Sequence, residues 1–375
     1  MPDRILVFSD WFSPGFRAGG PIRSLVNLTE ALGIPFDIIT RNTDHYSSTP
    51  YDLPVGEWVQ HSAHVRVMYL PAAELSLSQI RNLMQGDYRW IYLNSLWSPR
   101  FTILPLIAAR LNGKTSRIII APRGMLKSAA LAIKAPKKKL LLALMRLTGV
   151  ASRVLWHATS EEERGEIILH MGAKSNIKVA ANLPAIISAP LPTPAKKPGE
   201  MQLICIARIS AEKGILEALE FLKTVQQLGR IRVDFFGTLQ DEKFLSLCRE
   251  RAAALIGVDC FFHGELPPTD IAHRMQDAHF FYLPTRGENY GHAIIEALQY
   301  GRPVIISDRT PWKFNEDDAA GFSLPLNSES FYHVLKYCLD MDQQAYNLAS
   351  DAASAKGKKI VSDPAVLEAS RHIFD

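Results

Sequence analysis

The stretch "MQLICIARISAEKGILEALEFLKTVQQLGRIRVDFFG", residues 201–237, contains the repeating unit of the whole chain. Met201–Arg208 is a short apolar run of strand length, Lys213–Leu228 reads as a helix, and Ile231–Gly237 returns to β-branched and aromatic residues. A strand, a helix and a second strand in that order make a crossover that joins parallel neighbours. Downstream the alternation continues through strands at Val258–Gly264, His279–Thr285 and Pro303–Ser307, with helices at Glu242–Leu255, Thr269–Gln276 and Gly291–Tyr300. Immediately upstream lies "APLPTPAKKPGE" (Ala189–Glu200), with four prolines in twelve residues, a composition suited to a stiff, extended linker.

Before that linker the same alternation occurs once more. Its strands are expected at Arg4–Phe8, Phe36–Thr40, His64–Leu70, Trp90–Asn94, Ser116–Pro122 and Arg153–Thr159, with helices including Pro21–Leu32 and Pro99–Leu111. After the last strand, "SEEE" (Ser160–Glu163) fits a capping box, with Ser160 as N-cap and Glu163 three residues on. The chain is therefore expected to be α/β, with two Rossmann-like doubly wound domains facing a central cleft. The expected boundaries are 1–188, a linker at 189–200, a second domain at 201–355, and a segment 356–375 packing back on the first domain. Open parallel sheets bind ligands beyond the carboxyl ends of their strands, so the chemistry is sought there.

Composition narrows the class. At 375 residues the chain exceeds one common-sized core, and 47% hydrophobic with 21% charged residues describes a folded globular protein. No run reaches the roughly 18 apolar residues that span a bilayer, and "MPDRILVFSD" lacks the layout of a signal peptide. The four cysteines (Cys205, Cys248, Cys260, Cys338) have no C-x-x-C spacing, which points to a reducing, cytoplasmic setting.

Net charge is +4, but it is unevenly placed: residues 1–190 carry +9 and the remainder −5. Between Tyr88 and Ser160 there are thirteen basic residues and no acidic one, including "KAPKKKLLLALMR" (Lys134–Arg146). A basic, partly apolar helix of this kind can lie on anionic lipid, and it can equally be an ordinary solvated face. The surface proposed for an anionic membrane is residues 127–153, which would make the protein peripheral on the inner face of the plasma membrane. No aromatic-interleaved basic platform accompanies the charge, so nucleic acid is not expected as a partner.

Three stretches carry candidate chemistry. In "CIARISAEKGI", Arg208 leaves a strand and Lys213-Gly214 stands at a helix start, two cations beside free helix N–H groups that suit a diphosphate. In "FSPGFRAGGPIRS" (Phe12–Ser24), Gly19-Gly20 turns the chain and Pro21 suits the first helical position, so this turn can cradle an anion. In "TRGENYGHAIIEALQYGRPVIIS" (Thr285–Ser307), Glu288 lies in the loop after a strand, and Glu296 lies two turns into a helix expected to begin at Gly291. A buried Glu296 needs partners, and vicinal sugar hydroxyls would serve. Neither G-x-G-x-x-G nor G-x-x-x-x-G-K-[ST] occurs, which argues against a dinucleotide oxidoreductase. Asp340-Met341-Asp342, the D-x-D of the chain, lies in a late helical region, so no metal is expected.

"GENYGHAIIEALQYGRPVI" resembles the E-x7-E region of retaining nucleotide-sugar glycosyltransferases of family 4 (glycosyl transferases group 1), which have the two-Rossmann GT-B fold. Arg208 and Lys213 match the family's R-x4-K pair, and "GGPIRSL" (Gly19–Leu25) resembles its glycine loop. "LNSLWSP" (Leu93–Pro99) and "APRGML" (Ala121–Leu126) resemble its cleft segments, and "WHATSEEE" (Trp156–Glu163) a segment before its linker. These landmarks run in order over residues 5–312.

The resemblance implies a retaining, metal-independent hexosyltransferase without a cofactor, its co-substrate a nucleotide sugar. Glu288 would touch the donor sugar, Asn289, Tyr290 and Gly291 would hold sugar or phosphate through backbone N–H groups, and Glu296 would bind the ribose hydroxyls. Arg208 and Lys213 would neutralise the leaving diphosphate, and the base would lie near Gly237 and Gly264–Leu266, with Gly264 and Leu266 in contact. Gly19 and Gly20 would line the donor, and Asn94, Trp97, Arg123 and His157 the acceptor side of the cleft. The acceptor would be a glycan, lipid-diphosphate-linked, in bacterial surface polysaccharide synthesis. Two features depart from the pattern: Asn289-Tyr290 replaces the commoner Pro-Phe, and Arg123 stands where many relatives have histidine. A nucleotide-sugar epimerase on the same fold and a non-catalytic nucleotide-sugar-binding subunit are the other readings.

Overall fold

The computed structural model describes residues 4–127, 130–131, 135–239, 241–315 and 318–375. The chain divides into two compact units, Met1–Leu183 with Asp363–Asp375, and Pro184–Ser362.

The first unit is built on an eight-stranded sheet. Its strands are β1 (Ile5–Phe8), β2 (Phe36–Arg41), β3 (Trp58–Ser62), β4 (Val65–Leu70), β5 (Trp90–Leu93), β6 (Ile118–Ile120), β7 (Leu155–Ala158) and β8 (Asn176–Val179), in the spatial order β3-β4-β2-β1-β5-β6-β7-β8. All pairings are parallel except β3 with β4. The central strands β1, β6 and β7 are buried at every position, because helices cover both faces and leave no solvated side to alternate with. Two apolar cores result, one on each face, around Leu93, Ile120 and Trp156 and around Val7, Leu25 and Ile38. The sequence reading lacks β3 and β8. Both are edge strands with polar or charged residues (Gln60, His61, Lys178) and half-exposed backbones, so neither shows a buried-strand pattern.

The second unit holds a six-stranded parallel sheet. Its strands are β9 (Glu200–Ile206), β10 (Arg230–Phe236), β11 (Val258–Gly264), β12 (Phe280–Leu283), β13 (Val304–Ser307) and β14 (Gly321–Leu324), in the order β11-β10-β9-β12-β13-β14. The reversal of strand order beside β9 is the switch point at which such sheets bind ligands. The four-residue edge strand β14 is absent from the sequence reading for the same reason as β3 and β8.

The proline-rich stretch has no helix or strand, yet it is tied down. The fully buried Arg302 guanidinium donates to the carbonyls of Pro192, Met275, Gln276 and Tyr300, and the Lys196 ammonium donates to those of Lys197, Leu339 and Met341. Burial lowers both pKa values, only partly opposed by nearby anionic groups, and the carbonyl oxygens stand in for the lost water. Residues 184–199 are thus part of the second unit rather than a free spacer. The chain end also divides: the helix Gln343–Val361 stays with the second unit, and the helix Pro364–His372 packs on the helix Gly20–Leu32 of the first. There the Trp90 indole N–H donates to the Phe374 carbonyl at 2.8 Å.

Candidate functional site

In the second unit, the loops leaving β9, β12 and β13 meet at the carboxyl edge of the sheet. Gly214 sits against β12's exit so closely that a Cβ there would lie 1.8 Å from the Pro284 carbonyl oxygen, and its φ of +70° is left-handed besides. Glycine is therefore required for the Arg208–Gly214 turn to reach the Pro284–Gly291 loop. The Thr285 hydroxyl donates to the Glu212 carbonyl at 3.1 Å and completes that contact.

This approach places Lys213 Nζ 2.8 Å from Glu288 Oε2, with both side chains largely buried. Arg208 is paired too, its Nη2 lying 3.0 Å from Glu212 Oε2 on the surface. Both cations of the expected diphosphate site are therefore balanced by carboxylates. The Asn289 N–H donates to Glu288 Oε1 at 3.1 Å, and the Glu288 N–H donates to the Arg309 carbonyl at 3.1 Å.

Gly291 caps the following helix with φ +81° and ψ +58°, and the helix itself runs over His292–Gln299. Glu296 consequently lies one turn into the helix, not two, and it is buried. Tyr290 is buried against the Trp312 and His292 rings, with centroids at 5.3 and 4.7 Å, and burial raises its hydroxyl pKa. Gly237 ends β10 where a Cβ would lie 1.8 Å from the Ala207 carbonyl oxygen, so glycine is obligatory there; beside it, Gly264 (φ +79°) has open space and Leu266 packs on the core.

The sequence reading gave no role to the segment after β13, yet it laces the glutamate loop. The Ser307 hydroxyl donates to the Thr285 carbonyl, Arg309 accepts from Glu288, and the Trp312 indole N–H donates to the Tyr290 carbonyl. No motif in "SDRTPW" signals this. Among the described residues no group of three or more His, Cys, Asp or Glu side chains lies close enough together to hold a metal ion.

In the first unit, the expected residues gather at the ends of β5, β6 and β7. Arg123 adopts a left-handed φ of +55°. Its guanidinium donates to Asn94 Oδ1 at 3.0 Å, to the Tyr92 hydroxyl at 2.8 Å and to Asn182 Oδ1. His157 is fully buried: its Nε2–H donates to the Ala180 carbonyl at 2.9 Å, and its Nδ1 accepts from the Tyr92 hydroxyl at 2.8 Å. Burial, and secondarily the Arg123 charge, push its pKa down to about 3. His157 is thus a neutral structural ring rather than a residue lining an open site.

Glu163 departs from the expected capping box. Ser160 Oγ does accept the Glu163 N–H at 3.2 Å, but the Glu163 carboxylate accepts from the Thr159 N–H and hydroxyl, both at 2.7 Å, and from the Gly124 N–H at 2.6 Å. It therefore pins the Arg123-Gly124 turn. Trp97 donates from its indole to the Met125 carbonyl at 3.2 Å and lies under the Lys138 ammonium at 5.3 Å. Gly19 (φ +69°) caps the helix Gly20–Leu32, and a Cβ on Gly19 or Gly20 would meet open space.

The basic segment is helical over Ala135–Leu147; residues 128, 129 and 132–134, including Lys134, lie outside the described residues. Leu142 and Met145 face the core, whereas Leu140, Leu144 and Leu147 form an exposed stripe. Lys138 turns inward to Trp97 instead of joining a uniform cationic face. Among the described residues no helix is long and apolar enough to cross a membrane.

Residues 192–352 match the family described as Glycosyl transferases group 1. No curated protein sequence matches the chain. Among solved structures, HepE of Anabaena in complex with UDP and glucose is 16% identical with a TM-score of 0.69, covering 99% of this chain and 98% of that one. A sucrose-phosphate synthase from Thermosynechococcus elongatus gives the same identity, coverages and TM-score. WaaG, a glycosyltransferase involved in lipopolysaccharide biosynthesis, is 12% identical with a TM-score of 0.61 and 99% coverage of both chains. With its two Rossmann-like parallel-sheet units, the chain has the GT-B fold, and its second unit is similar to Glycosyl transferases group 1 over most of its length.

Proposed function

We propose that this protein is a retaining glycosyltransferase of family 4 that moves a sugar from a nucleotide sugar to a glycan acceptor without a metal. The observation that carries the reading is the convergence of Lys213, Glu288 and the Gly291-capped helix at the sheet switch point, inside the segment that matches Glycosyl transferases group 1. The fold's occurrence in a UDP-glucose complex of HepE supports a nucleotide-sugar donor.

In this reading the donor diphosphate takes Lys213 and Arg208 from their carboxylate partners. Those cations then oppose the negative charge that grows on the leaving diphosphate, which lowers the barrier more than it stabilises the bound donor. Glu288, released from Lys213, accepts hydrogen bonds from the donor sugar, and the N–H groups of Asn289, Tyr290 and Gly291 hold sugar or phosphate. Glu296 binds the ribose hydroxyls, and Gly237, Gly264 and Leu266 adjoin the base. The departing phosphate oxygen takes the acceptor proton on the face it leaves, so configuration is retained. Contacts to the acceptor are assigned to Asn94, Trp97 and Arg123, and anion or donor contacts to the open Gly19-Gly20 turn.

The acceptor is proposed to be lipid-diphosphate-linked, in bacterial surface polysaccharide synthesis, with the protein on the cytoplasmic face of the membrane through residues 127–153. Support comes from the exposed Leu140–Leu144–Leu147 stripe within the acid-free basic segment. The test is to incubate the protein with UDP-, GDP- and ADP-sugars, with and without lipid-linked glycan acceptors. Nucleoside diphosphate released only when acceptor is present is the expected result. Conversion of the donor without acceptor, or no release with any pair, would overturn it.

A further inference from the structure

We propose that Trp312 is a positioning residue for the sugar-bearing part of the donor; this rests on the donor reading above. The Trp312 indole N–H grips the Tyr290 carbonyl, and the two rings pack edge to face at 5.3 Å and 75°. The Tyr290–Gly291 peptide is trans, so its C=O and N–H point in opposite directions. Holding the carbonyl on Trp312 therefore aims the Gly291 N–H away from Trp312. Gly291 is closely packed: a Cβ there would meet Ile294 Cδ1 at 2.7 Å and Glu288 Cγ at 3.2 Å.

Trp312 is itself held. Its backbone N–H donates to Thr310 Oγ1 at 3.2 Å, and the Thr310 hydroxyl, buried, donates to the Trp312 carbonyl at 3.0 Å. Two residues before Trp312's grip, the Glu288 N–H is fixed on the Arg309 carbonyl, so one short segment sets both the carboxylate and the adjoining N–H group. The indole N–H gives a tryptophan here a task beyond packing, since phenylalanine would supply a ring without the donor. At the base end, the Gly237 N–H donates to the Gly264 carbonyl at 2.7 Å, a bond between two other strand ends.

The test compares wild type with Trp312→Phe, which keeps a ring and deletes the N–H, and with Thr310→Val, which loosens the turn that holds the indole. Calorimetric binding of UDP, GDP and ADP and of their sugars is measured alongside transfer kinetics and thermal melts. For Trp312→Phe, the expected result is kcat/KM for the sugar donor lowered about tenfold, with nucleoside diphosphate affinity within about twofold of wild type. Thr310→Val is expected to move the same ratio in the same direction by less. Equal weakening of both ligands, or no change in either, would overturn the inference and leave the donor reading standing. If wild type binds none of these ligands, the donor reading fails, and this inference fails with it.

Discussion

Lys213 Nζ and Glu288 Oε2 lie 2.8 Å apart, although 75 residues separate them and each belongs to a different strand-end loop. Each neutralises the other in a largely buried place, and in the proposed donor site the diphosphate separates them. Lys213→Ala and Glu288→Ala are both expected to lower transfer by about a hundredfold or more, with the fold intact by circular dichroism. Near-normal turnover in either variant would remove that residue from its role.

The same pairing makes a second outcome that simple loss of a contact would not. Glu288→Gln frees the Lys213 ammonium, so nucleoside diphosphate alone is expected to bind about threefold to tenfold tighter, while transfer is lost. Calorimetry with the nucleotide and no sugar reads this. Weaker nucleotide binding in Glu288→Gln would show that the pair is scaffold rather than competitor.

Gly214 sets the distance between those loops. Gly214→Ala puts a methyl group where the Pro284 carbonyl already stands and forces a left-handed residue to carry a Cβ. Destabilisation of about 3 kcal/mol or more is expected from urea unfolding, together with loss of donor binding. A melt within about 0.5 kcal/mol of wild type would contradict the packing described.

His157 offers a pH signature confined to stability. Its folded-state pKa of about 3 lies below the ordinary 6.5, so between those values the unfolded chain binds a proton that the folded chain refuses. Stability from this residue is complete above the unfolded pKa and falls as pH drops toward 3. His157→Gln preserves an acceptor for Tyr92 and a donor for Ala180. Relative to this variant, wild type is expected to lose about 2 kcal/mol more between pH 7 and pH 5. Equal losses would show that the ring is not held neutral.

The exposed leucine stripe bears on the membrane proposal. Wild type is expected to sediment with anionic liposomes and to remain free with neutral ones, and Leu140→Glu/Leu144→Glu to lose most of the bound fraction. Equal, negligible binding of wild type to both would sink the membrane proposal.

What the sequence made legible was local. The parallel β/α alternation, the glycine turns and the Glu288–Glu296 spacing are carried by residues adjacent in the chain. What it hid was tertiary. From sequence, Lys213 reads as a phosphate cation and Glu288 as a sugar contact, with nothing to say that they touch. Glu163 reads as a helix cap because Ser160 stands three residues before it, yet its carboxylate reaches Gly124 across the fold. Trp312, Thr310 and Ser307 form no pattern at all and act only because β12 and β13 are neighbours. Edge strands β3, β8 and β14 lack the burial that makes a strand readable.

The most direct test of the donor site is thermal shift of wild type and Lys213→Ala with UDP, GDP, ADP and their sugars. At least one nucleotide sugar is expected to stabilise wild type, by about 2 kcal/mol or more at a concentration a hundredfold above Kd, and to leave Lys213→Ala unmoved. Equal stabilisation of both proteins, or of neither by any ligand, would contradict it.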